Sequence, residues 1–123
     1  MTSVLIIGGG GMIGQKLALS FTENENVSLL DMAFPASSDV KAHKILGSVS
    51  DASIMEKTLS NRPDTIFYLA SVVSGEAEAN FSKGWDVNLQ AFWSFLAQIK
   101  YQYSKSDGEY KPKIIFTSSI AVF

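Results

Sequence analysis

Four consecutive glycines, Gly8, Gly9, Gly10 and Gly11, and a fifth at Gly14 are the residues whose type and spacing first point to chemistry. A phosphate oxygen reaches backbone N–H groups at a helix N-terminus only where no side chain stands in the way. Dinucleotide sites use three such glycines. One makes the tight turn out of a strand, one admits the phosphates, and one lets the helix pack on the strand. Gly11 takes the second role and Gly14 the third. The first falls to Gly8 or Gly9, because both Gly8-x-x-Gly11-x-x-Gly14 and Gly9-x-Gly11-x-x-Gly14 fit the run. Asp31 stands 17 residues past Gly14. An acid near that distance accepts hydrogen bonds from the adenosine ribose hydroxyls, and its charge repels a 2′-phosphate. No arginine follows to reverse the preference, so NAD is the expected cofactor rather than NADP. The competing readings are a flexible glycine turn and an aspartate that merely begins a turn. Strand, helix and acid in the right order outweigh both.

These residues need elements to hold them. Val4, Leu5, Ile6 and Ile7 are uniformly apolar, which suits a central parallel strand buried on both faces. The spacing predicts a helix over residues 12–21, with Ile13, Leu17, Ala18 and Phe21 inward. Polar turn residues follow over 22–26, and a second strand over 27–31 closes on Asp31. A right-handed crossover links the two strands. Residues 32–44 read as a polar connection that includes a solvated His43. A short third strand spans 44–47. Ser50 or Asp51 caps the next helix, which turns Ile54, Met55, Thr58 and Leu59 inward. Residues 65–70 form a fourth strand, and the loop from Ser71 leaves its carboxyl end, where ligands of open α/β sheets bind. Glu76 and Glu78 lie two apart and share no helix face, so they read as a solvated helix start. The longest helical pattern covers residues 85–100. Val87, Ala91, Phe92, Phe95, Leu96 and Ile99 form its broad apolar face. Trp85, Leu89 and Trp93 widen the stripe enough to suggest a partner on the far side. Residues 101–113 read as a surface loop, and residues 113–117 as a fifth strand.

Length and composition bound the possibilities. The chain has 123 residues, enough for one modest domain. Hydrophobic residues make up 46% and charged residues 18%, which favours a packed core over disorder. The net charge is −2 and no basic stripe exists, so nucleic acid is not an expected partner. There are no cysteines and one histidine, which leaves no thiolate or histidine cluster for a metal. The first apolar run is short and lacks a basic leader, and no stretch approaches a membrane span. A soluble, cytoplasmic chain is the expectation.

The element order β-α-β-β-α-β-α-β, with glycines in its first turn, resembles the extended short-chain dehydrogenase/reductase family, the NAD-dependent epimerase/dehydratase group. Five stretches carry the resemblance: Gly8-x-x-Gly11-x-x-Gly14, Asp31, Ser50-Asp51, Tyr68-Leu69-Ala70-Ser71, and residues 116–123 around Ser118-Ser119. Within the group, the loop from Val72 through Ser74-Gly75-Glu76 to Phe81 looks like the D-erythronate dehydrogenase branch. The resemblance implies an α/β fold, a Rossmann-type doubly wound parallel sheet ending here after its fifth strand. Residues 1–123 would be an incomplete NAD-binding domain without a substrate domain.

The resemblance also implies roles. Gly8, Gly11, Met12, Ile13 and Gly14 would hold the pyrophosphate, and Asp31 the ribose. Asp51 would take the adenine amino group. Leu69, Ala70 and Ser71 would pass along the ribose and diphosphate, with Asn88 on the cofactor side of its helix. Ser74, Gly75 and Glu76 would border a small-molecule substrate, a sugar acid. Ser119 matches the catalytic serine that hydrogen-bonds the reacting hydroxyl or carbonyl. The helix over residues 85–100 would join a homodimer interface.

Two positions depart from the family. Tyr68 stands where a histidine is usual. The family's Tyr-x-x-x-Lys pair follows the serine, and these 123 residues end before it. Tyr101-x-x-x-Lys105 spells the pair but precedes the serine strand, so the match is accidental. Removing a hydroxyl proton needs a base, in the family a tyrosine whose pKa a lysine lowers. Without it, a serine orients a substrate but does not activate it. The expectation is therefore the NAD-binding portion of an oxidoreductase, inactive alone, that moves hydride between NAD and a hydroxyl of a small sugar acid such as D-erythronate. The alternatives are a nucleotide-sugar epimerase or dehydratase fragment, a non-catalytic dinucleotide-binding module, and a structural remnant that needs a partner.

Overall fold

Five short strands and three helices account for the backbone of the computed structural model, which describes residues 2–21, 25–70 and 89–117. In chain order they are β1 (Thr2–Ile7), α1 (Met12–Leu19), β2 (Glu25–Asp31), β3 (His43–Leu46), α2 (Ala52–Leu59), β4 (Thr65–Tyr68), α3 (Ala91–Lys105) and β5 (Lys113–Phe116). The sheet order is β3-β2-β1-β4-β5, and every pairing is parallel. Ile7, the last residue of β1, pairs with Leu30 on one side and Tyr68 on the other. The chain builds outward from β1 in one direction, then returns to build in the other. Their divergence opens a crevice at the carboxyl ends of β1 and β4.

Alternation along β1 divides the core. Leu5 and Ile7 face one side, where they join Leu30, Met55, Leu59, Ile66, Tyr68 and Phe95 under α2 and α3. Val4 and Ile6 face the other, with Ala18, Leu29 and Val40 under α1 and the connection after β2. Both faces are thus covered, which makes the sheet doubly wound and explains the uniformly apolar β1. Each Val, Leu, Ile, Met or Phe side chain removed from water here stabilises the fold by about 1.5–3 kcal/mol.

Several boundaries differ from the sequence expectations. Helix α1 stops at Leu19, and Ile13 is 66% exposed instead of inward. Strand β2 starts at Glu25, earlier than the polar run suggested, because parallel pairing with β1 begins there. His43 is exposed but opens β3, paired with Ser28. Helix α3 continues to Lys105, through residues expected to be loop. Its actual stop is Asp107-Gly108, both at positive φ. The Gly108 N–H donates to Tyr103 O and the Asp107 N–H to Ser104 O, closing a Schellman motif. Phe95 and Ala91 are buried as expected, whereas Leu96 faces outward at 40% exposure with Leu89 and Trp93. Trp85, Val87, Glu76 and Glu78 lie outside the described residues.

The amino edge of the sheet is tied by polar groups. The Ser3 backbone N–H and hydroxyl both donate to Asp64 Oδ2, at 2.9 and 3.0 Å. The Lys113 N–H donates to Asp64 O, which brings the start of β5 to the same point. Tyr110 donates its hydroxyl to Pro63 O at 2.7 Å, and Arg62 Nε donates to Gln102 Oε1. At the other end of β4, Tyr68 is buried among Phe92, Phe95 and Phe116. Its hydroxyl has no hydrogen-bond partner among the described residues, and burial pushes its pKa up to about 12.

Two outcomes are expected. Tyr68→Phe removes an unpaired buried hydroxyl and so raises the unfolding free energy by about 1 kcal/mol in urea titrations. A lower denaturation midpoint would mean that the hydroxyl has a partner. The backbone and then the side-chain hydrogen bond from Ser3 hold the Asp64 carboxyl below the ordinary aspartate pKa. A depressed folded-state pKa contributes stability above the unfolded value of about 4, and loses it as pH falls toward the folded value. The stability gap between wild type and Asp64→Asn should therefore shrink between pH 6 and pH 3.

Candidate functional site

The first turn folds as it does because Leu30 O accepts two N–H groups, from Gly8 at 2.8 Å and Gly9 at 3.2 Å. This double bond pulls the chain sideways off β1 onto the end of β2. Gly8 has φ +92°, a left-handed conformation that side chains disfavour. A Cβ there would also lie 2.9 Å from Ala70 N. Gly8 rather than Gly9 therefore makes the tight turn, and the motif resolves as Gly8-x-x-Gly11-x-x-Gly14. At Gly14 a Cβ would lie 2.5 Å from Gly8 O, so α1 packs directly on the turn.

Gly11 caps α1 in an extended conformation, and no side chain bonds the helix end. A Cβ at Gly11 would touch only Gly8 O, at 3.6 Å. The internal packing leaves that space open. Among the described residues, the N–H groups of Met12, Ile13 and Gly14 have no hydrogen-bond partner. No acid stands in the first turn of α1. The result is an open glycine cradle with three free donors at the positive end of a helix dipole, which suits an anion.

Asp31 closes β2 beside this cradle. Its Oδ2 accepts the Gly10 N–H at 2.9 Å, and its Oδ1 accepts the Met32 N–H at 2.7 Å. Each carboxylate oxygen keeps a further lone pair for hydroxyl donors. Gly10 is what permits the contact, because a Cβ there would fall 2.0 Å from Ala33 O. Sequence reasoning overlooked Gly10. The sign was available, since the run of four glycines exceeds what the fingerprint uses.

The other described candidates lie along the same carboxyl edge. Leu69 continues from β4, its N–H donating to Ile7 O at 2.8 Å, and Ala70 backs onto Gly8. The Thr117 N–H reaches Tyr68 O, bringing the exit of β5 alongside. Asp51, not Ser50, is the cap of α2. Its Oδ1 accepts from the Ser53 and Ile54 N–H groups at 3.0 and 3.3 Å. The cap leaves Oδ2 without a bond among the described residues. Ser71, Ser74, Gly75, Glu76, Asn88 and Ser119 lie outside the described residues.

Tyr101 and Lys105 do not join this edge. They sit on the last turns of α3, which ends at the amino edge where β5 begins. Lys105 Nζ lies 5.5 Å from the Tyr101 ring centroid. The two residues contact each other on the far side of the sheet from the glycine turn. No group of three or more His, Cys, Asp or Glu among the described residues is arranged to hold a metal. No helix among them is long and apolar enough to cross a membrane.

Comparison with known proteins agrees with this geometry. The sequence profile described as the NAD dependent epimerase/dehydratase family matches residues 4–123. A D-erythronate dehydrogenase of Cupriavidus necator is 31% identical over 98% of this chain and 40% of its own length. A nucleoside-diphosphate-sugar epimerase from Agrobacterium tumefaciens superposes with a TM-score of 0.82, at 36% identity, over 99% of this chain and 38% of that one. An L-threonine dehydrogenase from Clostridium difficile superposes with a TM-score of 0.81 at 25% identity, over 100% of this chain and 38% of that one. The chain thus spans about two fifths of the length of the curated relatives it matches.

Two alanine substitutions separate the packed glycine from the open one. Gly10→Ala drives a methyl group into Ala33 O and should lower the melting temperature by more than about 5 °C. Gly11→Ala adds a methyl to open space in an allowed conformation and should leave it within about 2 °C. Circular dichroism melts of both variants check this.

Proposed function

The chain belongs to the NAD dependent epimerase/dehydratase family, and from that premise we propose that it is the NAD-binding portion of an oxidoreductase acting on a hydroxyl of a small sugar acid such as D-erythronate. The observation that carries the cofactor assignment is the 2.9 Å bond from the Gly10 N–H to Asp31 Oδ2. It sets a carboxylate beside the open glycine cradle, where an adenosine ribose linked to a pyrophosphate has both groups to meet. The cradle fits the group. Among the described residues, space stays open at Gly11, three N–H donors are free, and no acid in the first turn opposes the phosphates.

Each residue acts through its own chemistry. The N–H groups of Met12, Ile13 and Gly14 bind the pyrophosphate oxygens, and Gly8 and Gly11 keep side chains out of their way. Asp31 accepts from the ribose hydroxyls and repels a 2′-phosphate. Asp51 takes the adenine amino group on Oδ2 while its Oδ1 caps α2. The backbone of Leu69, Ala70 and Ser71 lines the ribose and diphosphate, and Asn88 contributes on the cofactor side. When bound, NAD supplies the hydride acceptor at its nicotinamide ring. Ser74, Gly75 and Glu76 border the substrate, and Ser119 hydrogen-bonds the reacting hydroxyl.

The sugar-acid assignment rests on the D-erythronate dehydrogenase relative and the loop around Ser74-Gly75-Glu76. A nucleotide-sugar epimerase is the second reading, favoured by the 36% identity with the Agrobacterium tumefaciens protein. Trp93 and Leu96, 75% and 40% exposed on α3, and Leu89, 49% exposed just before it, support a homodimer through that helix. A cysteine-free chain suits a cytoplasmic setting.

Calorimetric titration of NAD and NADP into the chain tests the cofactor assignment. Saturable NAD binding is expected, with weaker NADP binding and a loss of about tenfold or more in Asp31→Ala. A chain that is folded by circular dichroism yet binds no NAD would overturn it.

A further inference from the structure

Residues 32–42 join β2 to β3 without helix or strand, yet they follow Asp31 directly and wall one side of the cradle. Val40 is buried and Phe34 packs beside it. The Ser38 N–H closes a turn onto Pro35 O at 3.2 Å. One further tie crosses to α1. Gln15, in the first turn of that helix, folds its side chain back over the glycines. Its Nε2 donates to Gly9 O at 2.7 Å. Its Oε1 accepts from the Ser38 hydroxyl. Ser38 Oγ in turn accepts the Val40 N–H at 3.2 Å.

The direction of every bond follows from chemistry. The Gly9 carbonyl only accepts, so the Gln15 amide must turn its NH₂ toward it. That leaves Oε1 for a hydroxyl donor, and the Ser38 lone pairs for an N–H. The bonds point one way from Val40 to Gly9 and polarise one another. Gln15 and Ser38 are both half-buried, so their bonds face limited competition from water.

We propose that Gln15 and Ser38 form a positioning clamp for the adenosine side of the cofactor site, a deepening that rests on the NAD-binding function proposed above. Three parts of the site converge on this pair: the start of α1, the phosphate turn, and the wall beyond Asp31. Ala33 O stands against Gly10, so a connection that drifts outward carries Met32 and Ala33 away from the turn. Met32 supplies the N–H that holds Asp31 Oδ1. The clamp therefore fixes the carboxylate that the ribose meets without touching the ribose itself. A glutamine is suited to the role, since a single planar amide offers the donor and the acceptor that the two sides need.

The test uses the whole chain with Gln15→Met, Ser38→Ala and Ser38→Thr, titrated with NAD and with ADP-ribose. Gln15→Met and Ser38→Ala should each weaken both ligands alike by about three- to tenfold, the loss of one net hydrogen bond. Ser38→Thr keeps the hydroxyl and should restore affinity. In Gln15→Met, amide hydrogen exchange should quicken over residues 36–40 and stay unchanged in β1 and β4. Unchanged affinities in both variants, or unchanged exchange over residues 36–40, would overturn the clamp while leaving the cofactor assignment standing. A folded wild type that binds neither NAD nor ADP-ribose would overturn both. Should Gln15→Met fail to fold, the contrast between Ser38→Ala and Ser38→Thr decides the matter through affinity alone.

Discussion

Leu30 O accepts N–H groups from both Gly8 and Gly9, and Gly10 then reaches the Asp31 carboxylate. Three successive residues thus bond to the end of a neighbouring strand instead of continuing their own. This places the start of α1 over the crevice beside β1, with first-turn N–H groups that have no partner among the described residues. It also sets the carboxylate next to them. The arrangement tolerates no side chain at Gly8, Gly10 or Gly14, because backbone atoms of residues 70, 33 and 8 lie where a Cβ would be. The turn is therefore rigid through close approach, although glycine itself is flexible. A preformed anion cradle spends less binding free energy on ordering.

The two edges of the sheet put polar groups to different uses. At the amino edge, Ser3, Asp64, Pro63 and Tyr110 bond mainly to one another, and Lys113 joins them through its backbone. At the carboxyl edge, donors at the start of α1 have no partner among the described residues, while Asp31 and Asp51 keep acceptor capacity beyond their structural bonds. Dedicated bonding at one edge and spare valence at the other follow from the parallel sheet. Every strand points its carboxyl end the same way, and each connection leaves from that edge.

Between the edges, the two cores act as the fixed frame. The wide aromatic group of Tyr68, Phe92, Phe95 and Phe116 locks α3 onto β4 and β5. Phe21 meets Phe67 edge-on across the opposite face, beside α1. Strand β4 therefore carries an aromatic on each face. That pairing holds the exit of β4 at Leu69 and Ala70, against which Gly8 packs.

The sequence alone determined the parallel α/β order, the glycine turn and the acid that follows it. Those features are local. A uniformly apolar strand, a helical repeat and a glycine spacing are written in neighbouring residues and read by fixed periods. It also identified Asp51 as one of two possible caps, because caps depend on residues three or four apart. Only the tertiary structure decided which glycine takes the left-handed turn, since that depends on where Leu69, Ala70 and Leu30 come to lie. It decided that Gly10 is indispensable, because Ala33 O reaches it from another element. It left Ile13 exposed, since helical spacing reveals a face but not what comes to pack against it. It carried α3 through to Lys105, where Gln102, buried against Arg62, supplies an anchor that no apolar pattern records. And it joined Gln15 to Ser38, 23 positions apart. Such a hydrogen bond leaves no periodic trace in a chain, because it exists only once separate elements have been packed together.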